Sequence, residues 1–542
     1  MNKFDIVTDQ PDGMTKFFPF PEFRKYQRET VEDVEKHLTQ GVENVIVEMP
    51  TGSGKSAIAV SAGLWSNHAY CLTSQKILQD QYIRDFAEEH NVSVLKGRGN
   101  YECTFLGNPA KCDECYTPAR KECYAEGLCL YKNAKMRTAA SPVALMNYSY
   151  FLNVVDCDPQ QIFRERKLLI CDEAHSIETE LMNQIEFLLS EFLLKRLGYH
   201  VNVPTLKNVE QYSVWIKEHL HNLQTTLKRL YADLADVNRH RMSLSRTSNE
   251  FKQVSKDATE LTSRAQELDR LVRRMNTFIQ TLNSIEWVFS IEKTEKKKFK
   301  RVVFRPLTVD FFANDALLKF GKQRIYMSAT ILDQKSFCKS LGINHDNSVF
   351  LRVPSTFPPK NRRIIFTDTG YMNLKQIEAT LPHIVTDVNK ALEYHKEEKG
   401  LIHCNSYKIA NYIENNCWDD RLLFHTSADR EQVLKRFMES IEPLVLVSPS
   451  MTEGLDLKGD LARWEIIVKI PYPYLGDKQI AKRMEMDPDW YNWQTALKLV
   501  QSYGRIFRAE DDWGTAYIFD KGAQNFIYRN KSILPQWFLD AM

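Results

Sequence analysis

Two hydrophobic rhythms alternate along this chain. Short, nearly continuous apolar runs recur as V-I-V-E before Met49, A-Y-C-L-T from Ala69, P-V-A-L-M-N-Y from Pro142 and K-L-L-I-C-D from Lys167. Each ends in polar or small residues and gives way to a helical stretch, the pattern of strands buried on both faces of a parallel sheet. From about Ile177 to Lys300 the rhythm changes to long, charged, Leu-rich helices. Leu220, Leu223, Leu227, Leu230 and Leu234 step by three and four, as do Leu268, Leu271, Met275, Phe278 and Leu282. Two such seams predict an antiparallel helical hairpin standing off the sheet, with both stripes turned inward as core. W-V-F-S-I and F-K-R-V-V-F then flank the stretch Lys293 to Arg301, in which six of nine residues are Lys or Arg. A solvated hairpin turn accounts for those charges, and a phosphate-tracking role is the sharper alternative.

R-I-Y-M-S-A-T, Arg324 to Thr330, returns to a strand of the first sheet, so the helical stretch is an insertion within one domain. A second α/β unit begins near Asn361. It carries K-G-L-I-H-C-N-S-Y, then P-L-V-L-V-S-P-S-M-T-E-G-L-D, then I-I-V-K-I-P-Y-P-Y, and finally Q-S-Y-G-R-I-F-R, read as a helix.

Composition narrows the classes. A chain of 542 residues has room for about three to four domains. Hydrophobic residues at 43% and charged residues at 26% describe a soluble globular protein. No apolar run reaches the roughly 18 residues of a membrane span, and Asp5 and Asp9 break the basic-then-apolar form of a signal peptide. The expected location is cytoplasmic. A net charge of +2 excludes a bulk polycation, so any nucleic-acid contact must come from local grooves.

The chemistry concentrates where strand meets helix. In M-P-T-G-S-G-K-S, Gly52 and Gly54 let backbone N–H groups converge on an anion, flanked by Thr51 and Ser53. Lys55 adds a mobile positive charge for phosphates, and the Ser56 hydroxyl stands where a Mg²⁺ ligand is needed. Met49 occupies the place of the usual first glycine of such a loop. Upstream, F-R-K-Y-Q-R-E-T reads as the start of a helix, with Arg24 and Gln27 one turn apart on one face; alone, the pair is equally an exposed helix surface. Thr73, Gln75 and Gln79 follow the second strand, where open sheets place ligand contacts, although helix capping by Thr73 or Ser74 explains them as well. D-E-A-H ends another buried strand. Asp172 can hold Mg²⁺ through water, Glu173 can orient the attacking water, and His175 could link hydrolysis to motion. In the second unit, Arg505 and Arg508 lie one turn apart on that helix and point the same way, the geometry two guanidinium groups need to reach a γ-phosphate across a cleft.

Five of the eleven cysteines fall between Cys103 and Cys129, separated by eight, two, seven and five residues with no His among them. Clustering of this kind in a large intracellular-type chain favours metal over disulfides. Zinc commonly uses two C-x-x-C pairs and only one exists here, whereas iron–sulfur clusters tolerate uneven gaps. The set therefore leans toward a cluster held by Cys103, Cys112, Cys115 and Cys129, with Cys123 as the alternate.

The order of these motifs resembles the iron–sulfur superfamily 2 helicases, the XPD and DinG group, in which a glutamine motif, G-S-G-K-S, a cysteine insertion opened by G-R-G-N-Y-x-C, D-E-A-H, a helical insertion, S-A-T, E-G-x-D and Q-x-x-G-R-x-x-R follow one another. The resemblance implies an α/β fold with two RecA-like parallel-sheet motor domains. The first motor domain would comprise residues 1–95, 137–176 and 306–355, interrupted by the iron–sulfur insertion at 96–136 and the arch at 177–305, with the second motor domain at 356–542. It implies ATP, Mg²⁺ and a [4Fe–4S] cluster, and a monomer moving 5′→3′ on single-stranded DNA and opening forked duplex DNA. Carried over by residue, Arg24 and Gln27 would read adenine. Thr51 to Ser56 and Asp172 would bind phosphates and Mg²⁺. Gly454 and Asp456 would line the cleft, and Gln501, Arg505 and Arg508 would sense the γ-phosphate. The alternatives are a translocase that displaces proteins or RNA without separating strands, and an ATP-gated binding clamp with a structural zinc module. A small-molecule kinase shares the phosphate loop but has no use for a second sheet.

Overall fold

The computed structural model describes residues 12–87, 91–103, 127, 129–156, 161–245, 248–293, 300–449, 457, 459–507 and 512–542. Its first five strands are β1 (Asn44–Glu48), β2 (Ala69–Thr73), β3 (Val92–Val94), β4 (Val143–Asn147) and β5 (Arg166–Asp172). The helical insertion carries β6 (Phe187–Leu189), β7 (Trp287–Lys293) and β8 (Lys300–Pro306), after which β9 (Gly321–Ser328) and β10 (Ser348–Arg352) follow. The remaining strands are β11 (Arg362–Gly370), β12 (Gly400–His403), β13 (Leu422–Phe424), β14 (Val445–Ser448), β15 (Trp464–Ile467) and β16 (Gly514–Asp520).

Lobe 1 is built on a seven-stranded sheet in the order β10-β1-β9-β5-β2-β4-β3, and lobe 2 on a six-stranded sheet in the order β11-β16-β15-β12-β14-β13. Every pairing in both is parallel. The apolar runs form strands because helices cover both faces: β1 and β2 are buried along their whole length. Register brings the functional strand ends together. Glu48 pairs with Ser328 and Asp172 with Met327, so the loops after β1, β5 and β9 leave the sheet side by side.

The insertion is a hairpin of two helices, Val209–Ser243 and Asn249–Thr281, each about 50 Å long at 1.5 Å per residue. Asn208 and Ser248 cap them, accepting from Gln211 N at 2.9 Å and Phe251 N at 3.0 Å. Both leucine stripes face inward: Leu223, Leu230, Leu234, Leu268, Leu271, Met275 and Phe278 are buried, with Leu220, Leu227 and Leu282 half-buried. The hairpin stands on the antiparallel sheet β6-β8-β7, where Phe187 stacks on Phe304 at 4.8 Å and Phe278, Trp287 and Tyr212 pack edge-on or tilted around them. Of the basic stretch Lys293 to Arg301, residues 294–299 lie outside the described residues; Arg301 pairs with Glu292 at 2.6 Å, and Lys300 donates to Thr205 Oγ1 at 3.2 Å.

Two helix boundaries differ from the sequence reading. The helix after the N-terminal arm begins at Gln27, with Tyr26 at φ +66°, so Arg24 precedes the helix and does not share its face with Gln27. The Gln27 carboxamide turns back to accept from Arg24 N at 2.7 Å, which fixes the turn. The helix carrying Gln501 spans Pro488–Tyr503 and stops at Gly504, placing Arg505 in a turn beyond its end. Arg508 lies outside the described residues.

Candidate active site

The loop between β1 and the helix Lys55–Ser66 is gathered by its neighbours. Met49 N donates to Ser328 O at 2.9 Å, tying the loop to the end of β9. Gly52 and Gly54 take φ values of +77° and +83°, open to glycine at little cost. The Gln27 amide donates to Ser53 O at 2.9 Å and Gly54 O at 3.3 Å, and Arg24 donates to Gly52 O at 2.5 Å. A Cβ at position 54 would lie 2.0 Å from Gln27 Nε2. Arg24 and Gln27 thus converge on the loop, and their side-chain donors reach its backbone carbonyls. Lys55 Nζ donates to the carbonyls of Met49 and Pro50 at 3.2 and 3.4 Å. Thr51 is a half-buried residue of the turn, and Ser53 Oγ bonds Pro50 O.

Facing it, Asp172 ends β5 fully inside the protein. Burial first, and the Glu173 charge second, push its carboxyl up to about 6, opposed by Lys55, the Tyr82 hydroxyl and Glu173 N–H. Tyr82 OH donates to Asp172 Oδ2 at 3.0 Å and is also a hydrogen-bond partner of Ser56. One phenol therefore joins the two groups suited to share a Mg²⁺ ion. Burial raises the Tyr82 pKa well above its ordinary value, so the phenol stays neutral and keeps its proton to donate. Tyr148 OH donates to Asp172 O at 2.9 Å. Glu173 adopts φ +51°, a left-handed conformation that a non-glycine residue holds only when its surroundings impose it. Here they do: its N–H donates to Asp172 Oδ1 at 3.0 Å, and its carbonyl accepts from Ser176 N and Oγ at 3.0 and 2.8 Å.

From Glu173 the contacts lead out of the site. His175 Nδ1 lies 3.3 Å from Glu173 Oε2 and 2.8 Å from Ser328 Oγ. Ser328 opens the S-A-T turn, where Thr330 N donates to Ser328 Oγ at 3.1 Å. Lobe 2 reaches this turn directly: Gln501 Nε2 donates to Thr330 Oγ1 at 3.1 Å, and Trp493 Nε1 to Ile331 O at 2.7 Å. Glu48 holds the turn from the other side, accepting from the N–H groups of Ile331 and Leu332 while pairing with Arg352 at 2.7 Å. Arg505 is close enough to His403, buried at the end of β12, to help burial lower that imidazole to about 3.

Several expected contacts take other forms. Gln79 is buried and donates to Leu95 O at 3.4 Å, and the helix Lys76–Tyr82 has no side-chain cap from Gln75. Gly454 and Asp456 lie outside the described residues, as do Cys112, Cys115 and Cys123. Cys103 and Cys129 are buried and unbridged, with Cys129 Sγ accepting from Lys132 N at 3.4 Å at the start of the helix Leu130–Ala140. Tyr101 and Tyr131, two residues outside these cysteines, meet ring to ring at 5.6 Å, so the chain enters and leaves the cysteine segment at one neck. Among the described residues no three His, Cys, Asp or Glu side chains gather as a metal site. No described helix is long and apolar enough to cross a membrane.

Comparison with known proteins agrees with this arrangement. Residues 390–540 match the helicase C-terminal domain family, and residues 20–197 match the family of the type III restriction enzyme res subunit. The chain is 22% identical to the probable ATP-dependent helicase MJ0942 of Methanocaldococcus jannaschii, over 94% of this chain and 93% of that protein. It is also 22% identical to the ATP-dependent DNA helicase YoaA of Escherichia coli, with the same coverages. Among solved structures, an XPD helicase superposes with a TM-score of 0.62 at 16% identity, covering 95% of this chain and 98% of the other. S. tokodaii Xpd4 superposes with a TM-score of 0.56 at 14% identity, covering 93% and 97%. At such identities the structural likeness concerns the fold. Two parallel sheets, a phosphate loop facing D-E-A-H, and a second sheet touching the S-A-T turn thus agree with the two family matches, and the chain is similar to the XPD/DinG-like superfamily 2 helicases.

Proposed function

We propose that the chain is an ATP-dependent DNA helicase that moves 5′→3′ on single-stranded DNA and opens forked duplex. The observation that carries this reading is the unbroken run of contacts from Glu173 through His175 to Ser328, continued by Thr330 to Gln501 of lobe 2. A nucleotide-binding protein with no motion to drive would have no use for hydrolytic carboxylates tied to a second sheet.

In this reading Gly52 to Ser56 cradle the phosphates, and Lys55 neutralises their charge. Mg²⁺, when bound between Ser56 and Asp172, would polarise the phosphoryl group. The donor set fits that ion: a hydroxyl and a buried carboxylate already joined through Tyr82. Glu173 orients the attacking water, and its imposed backbone conformation keeps the carboxylate on the cleft side of β5. Arg505 of lobe 2 would sense the γ-phosphate, the role this reading also assigns to Arg508, while Gly454 and Asp456 are assigned to the ATP cleft. Arg24 and Gln27 brace the loop and border the adenine position. Cys103 and Cys129, with two of Cys112, Cys115 and Cys123, would hold a [4Fe–4S] cluster; the shared neck at Tyr101 and Tyr131 supports one compact thiolate-lined module. Relatives named as ATP-dependent DNA helicases support DNA as the track.

The test is ATP hydrolysis and strand separation measured together on forks with DNA or RNA tails of either polarity. Hydrolysis stimulated by single-stranded DNA, with unwinding only from 5′ DNA tails, is the expected result. Stimulation without strand separation would instead establish a translocase, and unwinding from 3′ tails would refute the polarity.

A further inference from the structure

Five residues beyond Glu173, the chain buries another carboxylate that the phosphate chemistry does not use. Glu178 lies in the first turn of the helix Ile177–Ile185 and is 8% exposed. Among the described residues, three lobe 2 side chains donate to it. Oε1 pairs with Arg483; Oε2 accepts from Trp490 Nε1 and Gln494 Nε2, both at 3.2 Å. The Arg483 guanidinium lies over the Trp490 ring, 3.9 Å from its centre, so the cation is paired on one side and stacked on the other.

We infer that Glu178 is a positioning residue, the fixed joint through which the D-E-A-H loop and lobe 2 act on one another. It rests on the reading of the chain as an ATP-driven DNA motor. Three features lead to it.

First, the lobe 2 partners are not scattered. Trp490 and Gln494 share the helix Pro488–Tyr503 with Trp493 and Gln501, which hold the S-A-T turn. One rigid helix therefore touches lobe 1 at two places, behind D-E-A-H and at S-A-T, and those two places are already linked by His175 and Ser328. Second, the neighbouring helix Lys478–Met486, which supplies Arg483, is seated on the base of the helical hairpin. Gln479 Nε2 donates to Leu307 O at 2.7 Å, Lys482 pairs with Glu286, and Arg305 bridges Glu186 at 2.6 Å and Asp477 at 2.5 Å. Third, beside this joint the lobes border a cavity of about 440 Å³, with Asp333, Lys335 and Lys339 on one side and Asp487, Trp490 and Trp493 on the other, spanned by the ion pair of Lys339 and Asp487 at 2.6 Å. The attachment is buried at Glu178, whereas next to it the spanning Lys339 side chain is exposed to water, which is the form of a pivot.

A buried ion pair is suited to this task because half of it cannot be removed without stranding the other charge, so the contact persists while weaker ones exchange with water. When the cleft opens and recloses, the helix Pro488–Tyr503 turns about Glu178, parting Gln501 from Thr330 and restoring the 3.1 Å contact seen here. Loss of the joint leaves nucleotide binding intact but lets lobe 2 engage without advancing the hydrolytic loop.

The variants are Glu178→Gln, Arg483→Gln and the double variant, compared with wild type. Glu178→Gln keeps an acceptor for Trp490 and Gln494 while removing the charge and turning an amide donor toward Arg483 in place of Oε1; Arg483→Gln tests the joint from the other lobe should the first variant fold poorly. Each single variant is expected to bind a fluorescent ATP analogue as wild type does and to keep its DNA-free hydrolysis. DNA-stimulated kcat should fall about 10-fold, within the range that residues coupling two sites produce, with half-stimulating DNA concentration unchanged. The double variant should be no worse than either single one. Equal losses with and without DNA, or losses that multiply in the double variant, would overturn the inference. Calorimetry gives a readout independent of activity: wild type should unfold with its lobes in one transition and the single variants in two. A wild type lacking DNA-stimulated hydrolysis would refute the proposed function, while unchanged single-transition melting in the variants would refute the joint.

Discussion

Asp172 is placed where its chemistry is needed at the expense of stability, and the size of that conflict can be read from its surroundings. Burial and the adjacent Glu173 raise its carboxyl from an ordinary 3.8 to about 6. The difference, close to two pKa units, corresponds to about 3 kcal/mol that the ionised carboxylate withholds from the folded state. The sign follows from linkage. Below the ordinary value the group is protonated in both folded and unfolded chains and costs nothing. As pH rises through the window up to about 6 the unfolded chain loses the proton first, so stability falls, and above that window the penalty is complete. Asp172→Asn removes the charge and so the penalty. The amide oxygen can still accept from Glu173 N, but the Tyr82 hydroxyl must reorient, which offsets about 1 kcal/mol. The net gain is about 2 kcal/mol, a rise in Tm of roughly 4–8 °C for a unit the size of lobe 1.

The assay is thermal or urea unfolding of wild type and Asp172→Asn across pH in buffer free of nucleotide and divalent metal. Near about pH 4 the variant should be the less stable by about 1 kcal/mol; the order should reverse through the window, and the difference should be constant above about pH 6. Glu173→Gln should shift the same window downward, since it removes the second cause of the raised value. Adding Mg²⁺ and a non-hydrolysable ATP analogue should favour wild type and reverse the order. A stability difference that does not change with pH, or a wild type that is the more stable above the window without metal, would refute the electrostatic account.

Three other outcomes are expected. Lys55→Ala should lower DNA-stimulated ATP hydrolysis by on the order of 10²–10³, the usual cost of removing one preorganised charge or donor from a transition state; full activity would exclude the phosphate loop as the site. Gly54→Ala should weaken nucleotide binding through a strained φ worth about 1–3 kcal/mol and a collision with Gln27; measured against Gln27→Ala alone, which has already lost the brace and the collision, the same substitution should cost less, as read by titration with a fluorescent nucleotide. The purified protein should be brown, absorbing at about 400 nm, and Cys103→Ser or Cys129→Ser should bleach it, while stoichiometric zinc without iron would overturn the cluster.

What the chain's order reveals and what it conceals divide along a physical line. Buried parallel strands announce themselves by apolar runs, and the groups that end them, Lys55 after β1 and Asp172 on β5, are fixed by local sequence. The leucine seams of the hairpin were legible for the same reason. Tyr82 and Tyr148 were not, because which turn of a helix meets a strand end 90 or 24 residues away depends on packing between elements. Glu48 left a faint signal, an acid closing an apolar strand in the manner of Asp172, but its partners Ile331 and Leu332 lie 283 and 284 residues on. Tyr26 could not be foreseen in a left-handed conformation that most side chains avoid. Gly504 did leave a signal: a glycine after an apolar helical stretch marks a helix stop, which separates Arg505 from the helix that carries Gln501.

The contacts between lobes differ in kind from one end of the helix Pro488–Tyr503 to the other, and that gradient says how the cleft works. At the S-A-T end they are neutral: an amide to a hydroxyl, an indole to a carbonyl. Each such bond is worth about 1 kcal/mol net, because water replaces it readily. At the Glu178 end one buried carboxylate takes three partners, the Arg483 cation and the neutral donors Trp490 and Gln494, so parting the lobes there breaks three contacts on one group. On the proposed reading the cleft would open first at the S-A-T edge, where two neutral bonds hold it. That edge is the one beside Ser328, which is joined to Met49 of the phosphate loop and to His175 of D-E-A-H. Opening there would turn a change of phosphate charge at that edge into rotation of lobe 2 about Glu178.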